Sequence, residues 1–211
     1  MKCRIPPKPL TEEEQQRQTK LAIKENSKFM EYADRLLCIS LRENFGFGYE
    51  RFTRFNNESP ELGRYYIARY ADQDERADEY AKNGYVAMCR DLRVYGWEPE
   101  EKLWKDSVFD DFKPDKNSAS VRQLHAECLE YAKGISYYVR EMLCMTALWL
   151  CNEYGWRETR LDRVMRPVID GYIDLMRLYL RCSKEGVAEL NKRCKAVKEK
   201  YNGMGIFAPV R

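Results

Sequence analysis

The stretch FGFGYERFTR, residues 45–54, joins an aromatic–glycine–aromatic triplet to two basic residues that flank an apolar one. The stretch YGWRETRLDR, residues 154–163, repeats this pattern at identical spacing. The stretch YGWEPEEKLWK, residues 95–105, repeats it with one additional residue before the basic pair. A pattern that recurs three times in one chain indicates a repeated structural unit.

Each triplet stands where a run of helical apolar spacing ends, and its residues suit a helix corner. Glycine readily adopts the left-handed conformation that follows many helices, and the next aromatic ring can cover the last turn. Acidic residues then stand at the start of the following helix, where the helix dipole favours them. We therefore predict three helix-turn-helix hairpins, each with one apolar residue packed inward. The predicted corners are Phe45, Gly46 and Phe47; Tyr95, Gly96 and Trp97; and Tyr154, Gly155 and Trp156, and the inward residues are Phe52, Leu103 and Leu161.

Apolar residues in the rest of the chain recur at intervals of three and four, as on one face of a helix. One such face, from Ala77 to Tyr95, continues through Gly84 and predicts a single helix. No segment alternates apolar and polar residues as a half-buried strand does. The predicted fold class is all-α: three helix-turn-helix hairpins with two or more long helices, packed as a helical bundle.

Two proline signals predict helix boundaries within the first half of the chain. Ser59-Pro60 predicts that the second helix ends and that another begins, because proline suits the first helical position. Glu98-Pro99 predicts the start of a helix that carries Leu103, Trp104 and Phe109.

The predicted domain organisation follows from composition shifts along the chain. Three prolines favour an extended arm, and the run KPDKN is typical of a linker. A single domain overall remains an alternative. The predicted parts are an arm at 1–10, the first two hairpins at 11–112, a linker at 113–117, the third hairpin and a C-terminal helix at 118–203, and a tail at 204–211.

Composition restricts the classes of function and the compartment. The 211 residues carry a net charge of +3, which argues against binding to nucleic acid through bulk charge but leaves a local basic stripe open. The 15 tyrosines are typical of a protein interface. The eight cysteines form no CxxC pair and follow no signal peptide, so we expect free thiols in a cytoplasmic protein. We expect no membrane partner, because the longest apolar run is about half a membrane span.

The basic residues of each repeat stand three apart and share one side of a helix. In one interpretation they pair with acids of the preceding helix and are structural. In the other they form basic ridges that contact phosphate or an acidic protein surface. Acids at the predicted helix starts disfavour sequence-specific DNA reading. The candidate contacts to a partner or to nucleic acid are Arg51, Arg54, Lys102, Lys105, Arg160 and Arg163.

Catalytic and metal-binding patterns are weak in this sequence. His125 is the single histidine, and with Cys128 it stands at a spacing that could share a metal ion. No second half-site accompanies them, so we interpret His125 as a core or boundary histidine. There is no P-loop, no GxGxxG and no nucleophile elbow. We therefore predict no catalytic residue, no metal and no cofactor, and a protein that is not an enzyme.

The run LRENFGFGYERF, residues 41–52, resembles a helix corner in small all-helical proteins of bacteriophages and mobile elements of Gram-positive bacteria. Residues 150–161 look like a second copy, with Arg157 in place of the second glycine. The resemblance implies a phage or mobile-element context, and with the lack of catalytic patterns this predicts a non-enzymatic interaction protein. Its most concrete form is an inhibitor that binds a host defence nuclease, of the anti-CRISPR kind, so the expected partner is a host protein such as a nuclease or nucleoprotein complex.

Two other functions stay open at this point. The basic helix faces could serve a nucleic-acid-binding accessory factor. The C-terminal helix, which has apolar residues at heptad spacing between Val187 and Tyr201, could instead self-associate in a homodimer or larger scaffold.

Overall fold

The computed structural model of the protein describes the backbone of residues 12–70 and 77–205 and the side chains of 28–66, 68–69 and 84–205. Within these residues the chain forms α-helices, one 3-10 helix and no strand, which confirms the all-α fold class. The predicted arm at 1–10 and most of the predicted tail lie outside them. The elements are α1 Glu12–Phe45, α2 Tyr49–Tyr70, α3 Ala77–Val94, α4 Pro99–Lys102, the 3-10 helix Asp106–Phe109, α5 Ala119–Tyr154, α6 Glu158–Leu180 and α7 Lys184–Gly203.

Helix α5 is the centre of the bundle and contacts α1, α2, α3, α6 and the 3-10 helix. The first and third hairpins pack reciprocally: α1 lies against α6, while α2 lies against α5. Helix α7 covers α1 and α6 and directs Leu190 into the core. Buried apolar residues from both sides of the predicted linker form one cluster, among them Leu37, Phe52, Leu92, Leu143 and Met176.

The predicted linker is bound to the junction between α6 and α7. The backbone N–H of Asp115 donates to the carbonyl of Arg181 at 2.9 Å, and Arg181 Nε donates to Asp115 Oδ1 at 2.9 Å. The Arg181 guanidinium, followed by the Ser183 hydroxyl, lowers the pKa of the Asp115 carboxyl. The division of the chain at 113–117 stays a prediction.

The three corners have the backbone that their glycines predict. Gly46, Gly96 and Gly155 lie in the left-handed region, with φ of +63°, +78° and +62°. Gly46 and Gly155 each donate to the carbonyl four residues earlier, at 3.0 and 2.9 Å. Gly96 donates to a carbonyl only three residues earlier, at 2.9 Å. The first and third corners therefore share one geometry, and the second is a tighter variant.

The second aromatic residue of every corner is buried, with 1% of Phe47, 0% of Trp97 and 4% of Trp156 exposed. The first aromatic residue is half-buried in every case, and the glycine between them is exposed. Phe52, Leu103 and Leu161 are buried as predicted. Each corner therefore ends its helix by inserting one ring into the core, and the burial of that ring stabilises the turn.

The prediction of a helix boundary at Ser59-Pro60 is wrong, because α2 continues through Pro60 to Tyr70. Proline inside a helix costs about 3 kcal/mol. Packing on both sides of Pro60 offsets this cost: Phe55 and Ser59 are buried, and Gly63 approaches Met145 so closely that an added Cβ would lie 2.5 Å from its sulfur. The helix is continuous because one face of it is buried along its length.

The predicted helix after Glu98-Pro99 is also wrong in extent, because α4 lasts one turn and the second hairpin has only this short second arm. The backbone is extended at Leu103 and at Lys105 before the 3-10 helix starts. Arg140 of α5 donates to the carbonyl of Trp104 at 3.2 Å and to Asp106 Oδ1 at 2.6 Å. In a longer helix the Trp104 carbonyl would accept an intrahelical hydrogen bond. Here Arg140 donates to it instead.

Replacing Gly155 by alanine is expected to lower the free energy of unfolding by about 1 kcal/mol, because a side chain at positive φ is strained. Gly134, an exposed glycine within α5, is the matched control. An added Cβ meets nothing within 4 Å at either position, so only the backbone differs. Gly134→Ala is expected to raise stability by about 0.5–1 kcal/mol. Urea unfolding measures both variants, and equal effects of the same sign would contradict the corner geometry.

Candidate functional site at the helix corners

The first and third corners meet at one end of the bundle through their aromatic rings. The Phe45 ring lies 4.2 Å from Trp156, and the Phe47 ring lies 5.6 Å from Tyr154, between centroids. The first ring of each corner thus contacts the second ring of the other. This exchange relates the two hairpins by an approximate two-fold arrangement.

The second corner also contacts the third corner. The Tyr95 hydroxyl donates to Asn152 Oδ1 at 2.8 Å. The Arg157 guanidinium lies 5.1 Å from the centroid of the Tyr95 ring and donates to the carbonyl of Val94 at 3.3 Å. The three copies of the repeat, far apart in sequence, therefore form one continuous cluster of corners.

Two of the six predicted basic residues connect hairpins through carboxylates. Arg54 pairs with Glu58 of its own helix and with Glu153 of α5. Lys102 pairs with Glu158 at 2.6 Å and with Asp162 at 2.8 Å, both on α6. The carboxylates on α5 and α6 belong to the third hairpin and not to the helix that precedes each basic residue. Arg54 and Lys102 therefore have a structural role, but with different partners from those predicted.

The carboxylates at these contacts are also bound by buried indoles. Trp97 Nε1 donates to Asp162 Oδ1 at 2.9 Å, and Trp149 Nε1 donates to Glu58 Oε2 at 3.0 Å. The Trp149 N–H, followed by Arg54, lowers the pKa of the Glu58 carboxyl. Asp162, followed by Glu158, raises the pKa of Lys102. Glu58 and Lys102 are therefore charged at neutral pH, and their contacts hold the hairpins together.

Three other predicted residues, Arg51, Arg160 and Arg163, surround one cleft of about 510 Å³. None of the three forms an ion pair with a carboxylate in the described part of the chain. Lys105 is exposed outside this cleft. We call the site the corner cleft, and it is lined by Asn44, Phe45, Phe47, Arg51, Tyr154, Trp156, Thr159, Arg160 and Arg163.

Aromatic rings, one backbone carbonyl and one amide position Arg51 and Arg163 in the corner cleft. Arg51 Nη1 donates to the carbonyl of Phe45 at 3.5 Å. The Arg51 guanidinium lies 5.4 Å from the Phe47 centroid and 6.0 Å from the Tyr154 centroid. The Arg163 guanidinium lies 5.6 Å from the Phe45 centroid, and its Nε donates to Asn44 Oδ1 at 3.1 Å. A guanidinium that stacks on a ring keeps the N–H groups of its edge for an anion. The cleft can therefore bind an anionic group at its rim.

Sequence reasoning missed Asn44 and Thr159 as members of this site. The repeat contains a signal for Asn44, because it precedes Phe45 as Glu153 precedes Tyr154. The sequence contains no comparable signal for Thr159. The structure also places the Tyr154 hydroxyl in a buried position without a hydrogen-bond partner among the described residues, and burial raises its pKa.

His125 lies at the boundary of the core, away from the corners. Its Nε2 donates to the carbonyl of Phe112 at 3.0 Å, which occupies one ring nitrogen. The described residues contain no group of three or more metal-binding side chains. All seven described cysteines are free, and burial raises the pKa of Cys144 and Cys151 well above the range of reactive thiols.

Comparison of the chain with protein-family models, with curated proteins and with solved structures gives no match. None of the helices in the described ranges combines the length and apolar character that crossing a membrane requires.

Proposed function

We propose that this chain is a non-enzymatic interaction protein of a phage or mobile element, and that it binds an acidic segment of a host protein in the corner cleft. Its most concrete form is an inhibitor of a host defence nuclease, of the anti-CRISPR kind. The observation that carries the proposal is the collection of Arg51, Arg160 and Arg163 around one cleft without described carboxylate partners. An unneutralised arginine cluster is suited to binding an anionic partner.

The surroundings of the cleft favour a short acidic segment over a long nucleic acid. A duplex or an extended single strand needs a continuous basic track. Many other described basic residues are already paired with carboxylates, including Arg54, Arg93, Lys102 and Arg140. Guanidinium groups also cover the rings of Phe45 and Phe47, so these rings do not present open faces on which bases stack.

The test is affinity capture from a lysate of a Gram-positive host with a variant in which Arg51, Arg160 and Arg163 are alanine. Loss of one central arginine contact typically costs about 2 kcal/mol or more, so we expect this variant to lose its partner. The matched control replaces the exposed Lys116, Lys184 and Lys198 by alanine, which removes the same charge elsewhere.

Wild type and control should capture the same host protein and should lower its nuclease activity, while the arginine variant should do neither. Equal capture by all three proteins would contradict the corner cleft as the contact surface. A captured protein whose nuclease activity is unchanged would contradict the inhibitor function but not the binding function.

Nucleic-acid binding is the second candidate, since the same guanidinium edges also fit phosphate oxygens. It predicts binding of single-stranded DNA or RNA that falls steeply with salt and that the arginine variant abolishes. Fluorescence anisotropy at low and moderate salt measures this. The homo-oligomeric alternative has less support, because most of the heptad face of α7 packs within the chain: Leu190 is buried, and Val187 alone on that face is exposed.

A further inference from the structure

The approximate two-fold arrangement of the first and third hairpins allows their residues to be compared position by position. Arg54 of α2 corresponds to Arg163 of α6 in the repeat. Each of these arginines reaches across to the residue that precedes the first ring of the opposite corner. For Arg54 that residue is Glu153, and for Arg163 it is Asn44.

The two arginines differ in their charged partners although their geometry corresponds. Arg54 pairs with Glu153 and also with Glu58, four residues further along its own helix. Arg163 meets the neutral amide of Asn44, and the residue four positions further along α6 is Pro167. Neither of the two carboxylates that pair with Arg54 therefore has a counterpart at the corresponding positions around Arg163. Arg163 is held in place by Asn44 without being neutralised.

We infer that the charge of Arg163 is kept for a carboxylate of the bound segment, and that Asn44 is the specificity-determining residue of the corner cleft. The ligand class is an acidic peptide. Its aspartate or glutamate accepts hydrogen bonds from Arg163 as Glu153 does from Arg54. This inference rests on the proposed function, because it assumes that the corner cleft is a binding site.

The chemistry of the cleft supports a carboxylate in this place. The Phe45 ring under the guanidinium fixes the plane of Arg163, and Asn44 takes up its Nε–H. The terminal N–H groups then remain for an incoming acceptor, in the fork that matches a carboxylate. Arg51 and Arg160, on the same cleft, add positive potential that attracts a segment with more than one acid.

The test measures binding of a fluorescein-labelled hexapeptide of glutamate and phenylalanine by anisotropy. A second peptide with glutamine at every glutamate position is the neutral control. The protein variants are Asn44→Glu and the matched Asn44→Gln, which keeps an amide. The introduced carboxylate pairs with Arg163 and repels the peptide, so we expect Asn44→Glu to weaken binding about tenfold or more. Asn44→Gln should bind within about threefold of wild type, because the site keeps its charge.

Thermal unfolding of both variants verifies that they fold. In Asn44→Glu the new ion pair offsets the loss of the hydrogen bond that the Asn44 amide donates to Ser40 Oγ at 3.1 Å. Equal binding of both peptides, or equal binding by wild type and Asn44→Glu, would overturn the inference. Tighter binding of an oligothymidylate of matched charge would overturn it in favour of nucleic acid. If the arginine variant still captured the host protein while Asn44→Glu lost the peptide, the proposed function would fail and this inference would stand.

Discussion

Replacement of Phe47 by alanine is expected to lower the free energy of unfolding by about 3–5 kcal/mol. Phe47 is buried where the first and third corners meet, and its ring contacts four other aromatic rings. Removing it leaves a cavity that flat, rigid rings cannot fill by small rotations. The four rings are those of Phe52, Trp149, Tyr154 and Trp156, at centroid distances of 5.6, 6.4, 5.6 and 6.1 Å.

The same substitution is expected to disrupt the corner cleft, because Arg51 stacks on the Phe47 ring. Chemical denaturation measures the change in stability. Val94→Ala, at the end of α3 with 78% of the valine exposed, is the surface control and should change stability by less than about 0.5 kcal/mol. A Phe47→Ala protein as stable as the control would show that the two corners do not share a packed core.

Replacement of Trp97 by alanine is expected to cost a similar amount, about 3–5 kcal/mol, at the second corner. Trp97 is fully buried, and its indole N–H binds Asp162 at the start of α6. The variant loses both the buried ring and a hydrogen bond to a charged group. Lys102 still binds Asp162 at 2.8 Å, so the carboxylate keeps one partner.

Trp97→Phe separates the two contributions, since it keeps an apolar ring and removes the N–H. Loss of one hydrogen bond to a charged acceptor costs about 1.5–3 kcal/mol, so this variant should be less destabilised than Trp97→Ala. Urea unfolding of the two variants gives both values. Equal destabilisation by the two variants would contradict the expectation that burial of the ring stabilises the second corner.

Local features of the sequence were sufficient to predict the corners. A glycine at positive φ between two aromatic residues, of which the second is buried, occurs at all three places. Helix α3 continues through Gly84, as the apolar face from Ala77 to Tyr95 predicted. These features depend on residues a few positions apart, so their spacing in the sequence already specifies them.

Both wrong helix boundaries lie where long-range packing overrides a local signal. Pro60 has the features of a helix start, but the buried face of α2 continues past it. Pro99 begins only one turn, because Arg140 of α5 binds the carbonyl of Trp104. Local spacing cannot predict these contacts, because the residues of α5 that make them lie far away in the sequence.

The candidate site also combines features that the sequence specifies with features that depend on long-range packing. The sequence by itself determined an all-α chain with three clamped corners and a basic pair after each. Only the tertiary structure decided that Arg54 and Lys102 connect hairpins while Arg51, Arg160 and Arg163 share a cleft. Backbone conformation and helical faces follow from neighbouring residues, whereas the partner of a long basic side chain depends on which hairpins meet. That pairing is set by the aromatic rings of corners that are distant in sequence and meet only in the tertiary structure.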